Sequence, residues 1–71
     1  MKQVLIIDDS PQIRERIAIL LTESPEIRIA GEAGNGREAL GAVERARPDT
    51  VILDIRLPDQ SGIALLKTFK A

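Results

Sequence analysis

Val51, Ile52 and Leu53 form a continuous apolar run with two β-branched members, bounded by Pro48-Asp49 before it and by Pro58-Asp59-Gln60-Ser61-Gly62 after it. A run this short between turn-forming residues reads as a strand, and its lack of alternation predicts burial on both faces, as inside a parallel sheet. It stops on Asp54, which therefore sits at the strand's C-terminal end, the edge at which open α/β sheets bind ligands. Val4-Leu5-Ile6-Ile7 repeats the pattern and stops on Asp8 and Asp9. Two buried strands that both end in acid constrain this chain more than any other feature.

Helical periods fill the intervals. Ser10 is a favoured N-cap and Pro11 a favoured first helical residue, so a helix opens at Pro11. Ile13, Ile17, Leu20 and Leu21 recur at helical spacing and predict its core face, while Pro25 ends it near Thr22 to Ser24. Ile27, Ile29, Gly31 and Ala33 alternate with Arg28, Ala30 and Glu32, the period of an edge strand with one wet face. Asn35 caps a second helix, with Glu38 placed to reach back to the Asn35 backbone as in a capping box. Ala39, Leu40, Val43 and Ala46 give that helix its apolar stripe, and Gly41 weakens it by up to about 1 kcal/mol relative to Ala. A third helix follows Ser61-Gly62, carries Ile63, Leu65, Leu66 and Phe69, and runs to the chain end. The order β-α-β-α-β-α predicts a parallel sheet with right-handed crossovers and helices on both faces.

Composition narrows the function. The 71 residues make one domain at most, and a chain this short buries only ~60% of the surface it exposes when unfolded. A net charge of −1 gives no basic footprint for nucleic acid. Without Cys there is no disulfide frame or thiolate metal site, and without His the commonest zinc ligand and general base is missing. Four apolar residues ahead of Asp8 and Asp9 are too few for a secretory signal or a membrane span, so a cytoplasmic protein with no membrane role is expected.

If the Val4 and Val51 strands are neighbours, about 5 Å apart, then Asp8, Asp9 and Asp54 converge on one edge. Like charges that close repel unless a cation or basic side chain intervenes, and a hard divalent ion held by oxygens is the economical answer. Mg²⁺, or Mn²⁺ in its place, is the expected metal. The plainer reading is that one of the first pair caps the Pro11 helix and Asp54 opens a turn. A second signal competes: Gly34-Asn35-Gly36-Arg37-Glu38-Ala39 fits G-x-G-x-x-G/A, follows a predicted strand and opens a helix, with Asp54 about 20 residues on. That is formally a nucleotide- or dinucleotide-binding fingerprint. Its feeding strand, however, looks like an edge, and Asp8-Asp9 would repel a pyrophosphate nearby.

Taken together, Val4-Leu5-Ile6-Ile7-Asp8-Asp9-Ser10, Gly31-Glu32-Ala33 with Asn35-Gly36 and Glu38-Ala39-Leu40, Asp49, and Asp54-Ile55-Arg56-Leu57-Pro58-Asp59 with Gly62 resemble the receiver domain of two-component response regulators. The resemblance implies a flavodoxin-like doubly wound sheet of order 2-1-3-4-5. It implies that Asp54 accepts a phosphoryl group from a histidine kinase, that Asp8, Asp9 and Asp54 hold Mg²⁺, and that the Arg56 backbone carbonyl is a further ligand, with the Arg56 side chain placed to influence hydrolytic water. Such a domain is a regulatory phosphoacceptor rather than an enzyme in its own right.

A full receiver of this family adds two strands, one ending in a Ser or Thr and one in a Lys that pairs the phosphoryl oxygens. Neither is encoded here, and Lys67 and Lys70, on the last helix, do not replace that Lys. Residues 1–71 are therefore expected to be a partial receiver, truncated after the third helix and impaired in its switch. The stretch from Gly31 to Leu40 looks most like receivers attached to helix-turn-helix output domains, so DNA would be reached only through a domain outside this sequence. The outer edge of the Val51 strand is expected to be open, which favours a homodimer or higher oligomer pairing Val51 to Leu53 between copies.

Overall fold

Strands and helices alternate through residues 1–54 and 56–70, which the computed structural model describes: β1 (Lys2–Ile7), α1 (Pro11–Leu21), β2 (Ile27–Ala33), α2 (Gly36–Ala46), β3 (Thr50–Leu53) and α3 (Gly62–Lys70). Ile55 of the quoted motif and Ala71, where the last helix is predicted to end, lie outside the described residues. The three strands are parallel in the order β2-β1-β3, the first three positions of the expected 2-1-3-4-5 sheet, and the architecture is flavodoxin-like.

The central strand is β1. Val4 to Ile7 are all buried, because β1 has a ladder partner on each side and helices over both faces. Val51 to Leu53 are only half-buried, which corrects the expectation that this run would be the fully buried strand. Its apolar continuity reflects helix contact on one side and a single ladder with β1, through Leu5↔Val51, Ile6↔Ile52 and Ile7↔Leu53.

Leu5, Ile7 and Ala33 meet Ala39 and Ala42 of α2, Leu57 of the segment after β3 and Leu65 of α3 in one core cluster, with Leu40, Val43, Val51, Leu53 and Phe69 packed against it. On α3 the Leu65 side chain is fully buried, and Ile63 and Leu66 point outward. Val4 and Ile6, on the alternate face, are buried outside that cluster, and α1 packs against β1 and β2.

Two periodicities needed correction. The ladder with β1 shifts register between Val4↔Ile29 and Leu5↔Gly31, so Ala30 is an extra residue in β2. Paired residues in a ladder share a face, and Ile29 therefore lies with Val4 while Gly31 and Ala33 lie with Leu5 and Ile7, not all on one side as strict alternation implies. On α1 the half-buried stripe is Arg14, Ile17, Ala18 and Leu21, whereas Ile13 and Leu20 are 41% and 65% exposed. A lone helix on a sheet touches it along a single i, i+3, i+4, i+7 stripe, and among the described residues no second helix flanks α1 to cover Ile13 and Leu20.

Caps fix the helix starts. The Ser10 hydroxyl accepts from the Ile13 N–H at 3.3 Å, and the Ser61 hydroxyl accepts from the Ala64 N–H at 3.0 Å. The Asn35 side chain accepts from Glu38 N–H at 2.8 Å, as expected, but Glu38 returns to the Gly34 N–H at 2.8 Å rather than to Asn35. The reciprocal cap is shifted outward by one residue.

Candidate functional site

Ladder bonds carry β1 and β3 past their last residues and place the acids. Asp8 N–H donates to the Ala33 carbonyl at 3.0 Å, and Asp54 N–H donates to the Ile7 carbonyl at 2.9 Å, so the two carboxylates leave adjacent strands at the same level. Asp9 follows, exposed, while Asp8 and Asp54 are half-buried. Each of the three brings one carboxylate oxygen within 4.8 Å of the others. The convergence expected from sequence is thus realised.

Local hydrogen bonds hold these side chains. Asp8 Oδ1 accepts from the Ser10 N–H at 2.9 Å, and Asp54 Oδ1 accepts from the Arg56 N–H at 3.1 Å. Arg14 of α1 turns inward: its Nη1 donates to the Asp8 backbone carbonyl and its Nε pairs with Glu32 Oε1 at 3.3 Å. It braces the loop after β1 from behind without reaching the carboxylates. The ion pair formed among the described residues is this one, so no described basic side chain neutralises Asp8, Asp9 or Asp54.

That arrangement fits a divalent cation. The oxygens are hard, they converge from three carboxylates, and no described basic side chain pairs with them; oxygens on opposite sides of an octahedral Mg²⁺ stand roughly 4 Å apart, within the observed spread.

The segment after Asp54 is tied to a different element. Asp59 Oδ1 accepts from the Gly36 N–H at 2.7 Å and Oδ2 from the Arg37 N–H at 3.0 Å, closing the N-terminus of α2. The Gly36 bond above all, joined by that from Arg37, holds the Asp59 carboxyl below its ordinary value against an opposing desolvation. A pyrophosphate on Gly34-Asn35-Gly36 would need these same donors, and Glu38 N–H is already given to Asn35. The Gln60 side chain approaches Gly36 closely, and a Cβ at 36 would stand 2.6 Å from Gln60 Cδ, so that side chain would have to move aside. Gly36 thus lets α2 pack against the segment after β3, while Gly34 faces the Arg14 and Glu38 side chains. Gly62 is buried at the start of α3, and no described glycine has positive φ.

A family model for the response regulator receiver domain matches residues 4–71. The chain belongs to the receiver domain family. Among its relatives, the transcriptional regulatory protein BtsR of Salmonella typhi is 47% identical over 66 residues, which are 93% of this chain and 28% of that protein. A protein-glutamate methylesterase/protein-glutamine glutaminase of Agrobacterium fabrum is 40% identical over 67 residues, 94% of this chain and 19% of that one. The response regulator domain of Thermotoga maritima CheB superposes with a TM-score of 0.90 at 31% identity, covering 94% of this chain and 50% of that domain's chain. This receiver sequence therefore spans 19% and 28% of these two curated relatives and half of the solved domain's chain. Receivers are regulatory modules that bind Mg²⁺ at an acidic cluster and are phosphorylated by histidine kinases, and the Asp8, Asp9 and Asp54 group is the receiver's candidate for that cluster. No described helix is long and apolar enough to cross a membrane.

Sequence reasoning missed two residues here. Arg14 was hidden because a charged residue on an amphipathic helix is read as solvated. Asp59 was hidden because Pro-Asp in a loop is ordinary turn chemistry; its long-range partner, 23 residues away, has no sequence signal.

Proposed function

We propose that residues 1–71 are the phosphoacceptor portion of a two-component receiver, β1-α1-β2-α2-β3-α3, in which Asp54 takes a phosphoryl group from the phosphohistidine of a histidine kinase. The observation that carries the reading is the meeting of three uncompensated carboxylates within 4.8 Å at the C-terminal ends of two adjacent strands. Asp8, Asp9 and the Arg56 carbonyl, with Asp54 itself, would hold Mg²⁺ or Mn²⁺. The ion supplies neutralisation of charge on the transferring oxygens.

The chain's own residues do the rest. Arg56 N–H holds Asp54 Oδ1 and so fixes the carboxylate's rotation, leaving its other oxygen to face the donor. An Asp54 oxygen forms the new O–P bond as the P–N bond to the ring-protonated donor imidazole breaks; the P–N electron pair stays on that ring nitrogen, and the products are an aspartyl phosphate and neutral histidine, which keeps the proton on its other nitrogen. Ser10 N–H and the Arg14 guanidinium fix Asp8 and its backbone, so two acids arrive at a set place rather than on a loose loop. The site is open on the Asp9 side, as access by a kinase requires. Through an attached output domain this chemistry would regulate transcription, and we propose that the 71-residue chain self-associates through the outer edge of β3, which light scattering tests and a strictly monomeric folded species refutes.

The decisive experiment incubates the chain with Mg²⁺ and a small phosphodonor such as acetyl phosphate and follows the intact mass. Gain of one phosphoryl group by the parent and none by Asp54→Asn is expected. Equal gain by both, or labelling at a side chain other than Asp54, refutes the assignment.

A further inference from the structure

Residues 56–61 are mostly exposed, yet they begin beside Asp54 and contain a proposed metal ligand. Within the segment, Arg56 and Ser61 form an antiparallel bridge and Leu57 N–H donates to the Gln60 carbonyl at 3.2 Å, which makes it a closed unit. Something must orient that unit. Leu57 anchors it in the core at one point. One apolar anchor leaves it free to rotate, and the second point is Asp59, whose two oxygens take the first two N–H groups of α2. α2 is itself held firmly, because Ala39 and Ala42 are buried against the sheet. The Gln60 side chain lies across Gly36, where a Cβ would force it to shift.

We propose that Asp59 is a positioning residue for the acidic site: by binding the Gly36 and Arg37 N–H groups it fastens residues 56–61 to α2 and fixes where the Arg56 backbone stands relative to Asp8, Asp9 and Asp54. Carboxylate bonds to a helix N-terminus are charge-assisted and aligned with the helix dipole, so they are stronger than the loop's own neutral bonds. The Arg56 N–H bond to Asp54 Oδ1 then passes the orientation of the loop to the phosphoacceptor carboxylate itself. The inference rests on the reading of this cluster as a metal site.

Its test uses the same chain and Mn²⁺ alone, titrated by the electron paramagnetic resonance of the free ion, with amide hydrogen exchange at Arg56 measured without metal. Removing groups that stand behind metal ligands costs about tenfold or more in affinity, and Asp59→Ala is expected at that lower end. Asp59→Asn keeps one oxygen acceptor and should fall between Asp59→Ala and the parent, and Arg56 exchange should rise in the same order. Thr22→Ala is the control: its hydroxyl bonds the Ile19 carbonyl at the far end of α1, so it lowers the melting temperature and leaves Mn²⁺ affinity unchanged. Parent-like affinity and exchange in a folded Asp59→Ala chain overturns the proposal. If Asp59→Ala does not fold, parent-like affinity in Asp59→Asn overturns it. No Mn²⁺ binding by the parent overturns the metal-site reading first and this inference with it.

Discussion

Replacing Asp54 by Asn should stabilise the metal-free chain. The carboxylate oxygens of Asp8, Asp9 and Asp54 stand within 4.8 Å of one another, and at that separation two unit charges repel by ~0.9 kcal/mol in bulk water and ~3.5 kcal/mol at an effective dielectric constant of ~20. Asp9 is exposed and Asp54 half-buried, so the lower figure governs. With two such pairs relieved, and with an Asn oxygen still available to Arg56 N–H, the gain is about 1–2 kcal/mol at low ionic strength. In a domain this small 1 kcal/mol moves the melting temperature by roughly 4–8 °C. Thermal unfolding followed by circular dichroism, with EDTA and little salt, should show Asp54→Asn melting above the parent. The gap should shrink in 0.5 M salt by screening at about the Debye length, and it should narrow or reverse with saturating Mg²⁺, which the parent binds better. A metal-free variant that melts at or below the parent, or a difference indifferent to salt, would refute the claim that charge crowding at this edge is held against folding.

Other outcomes follow from the same contacts. Asp8→Asn combined with Asp9→Asn should abolish Mn²⁺ binding by titration; retained affinity would show that the ion, if bound, sits elsewhere. Because the Asp59 carboxyl is held below its ordinary value of 3.8, its contribution is present above that pH and lost as pH falls towards its folded-state value. Melting temperature should accordingly fall more steeply on acidification in the parent than in Asp59→Asn, and parallel pH profiles would contradict it. Arg47 ends α2 in the left-handed region at φ 45° and ψ 61°, so Arg47→Gly should raise stability by about 0.5–1 kcal/mol in urea unfolding, and an unchanged or lowered midpoint would contradict it. Leu65 is fully buried where α3 meets the sheet, and Leu65→Ala should cost about 2–5 kcal/mol, enough to abolish a cooperative transition; a loss under ~1 kcal/mol would mean that α3 contributes little to the core.

Much of this receiver was legible in its residues. Apolar runs between turn residues located β1 and β3, alternation located β2, Ser10-Pro11 and Asn35 located two helix starts, and acids after two strands located the site, because each of these signals depends on neighbours a few positions apart. Two patterns misled for one reason. An alternating segment was taken to keep a single face and an amphipathic helix to bury every apolar residue of its period, whereas Ala30 inserts into the β2 ladder and α1 touches the sheet along Arg14, Ile17, Ala18 and Leu21 only.

What the sequence determined by itself was the order of elements, the parallel sheet and the presence of three carboxylates at strand ends, since strand length, period and end residue are properties of a local stretch. Tertiary structure alone decided that β1 rather than β3 is the strand buried on both faces, that Arg14 braces Asp8, and that Asp59 closes the start of α2. Each of those depends on which distant segments become neighbours once the chain is folded, and the pairing of Asp59 with Gly36 across 23 residues leaves no periodicity for a reader of the sequence to find.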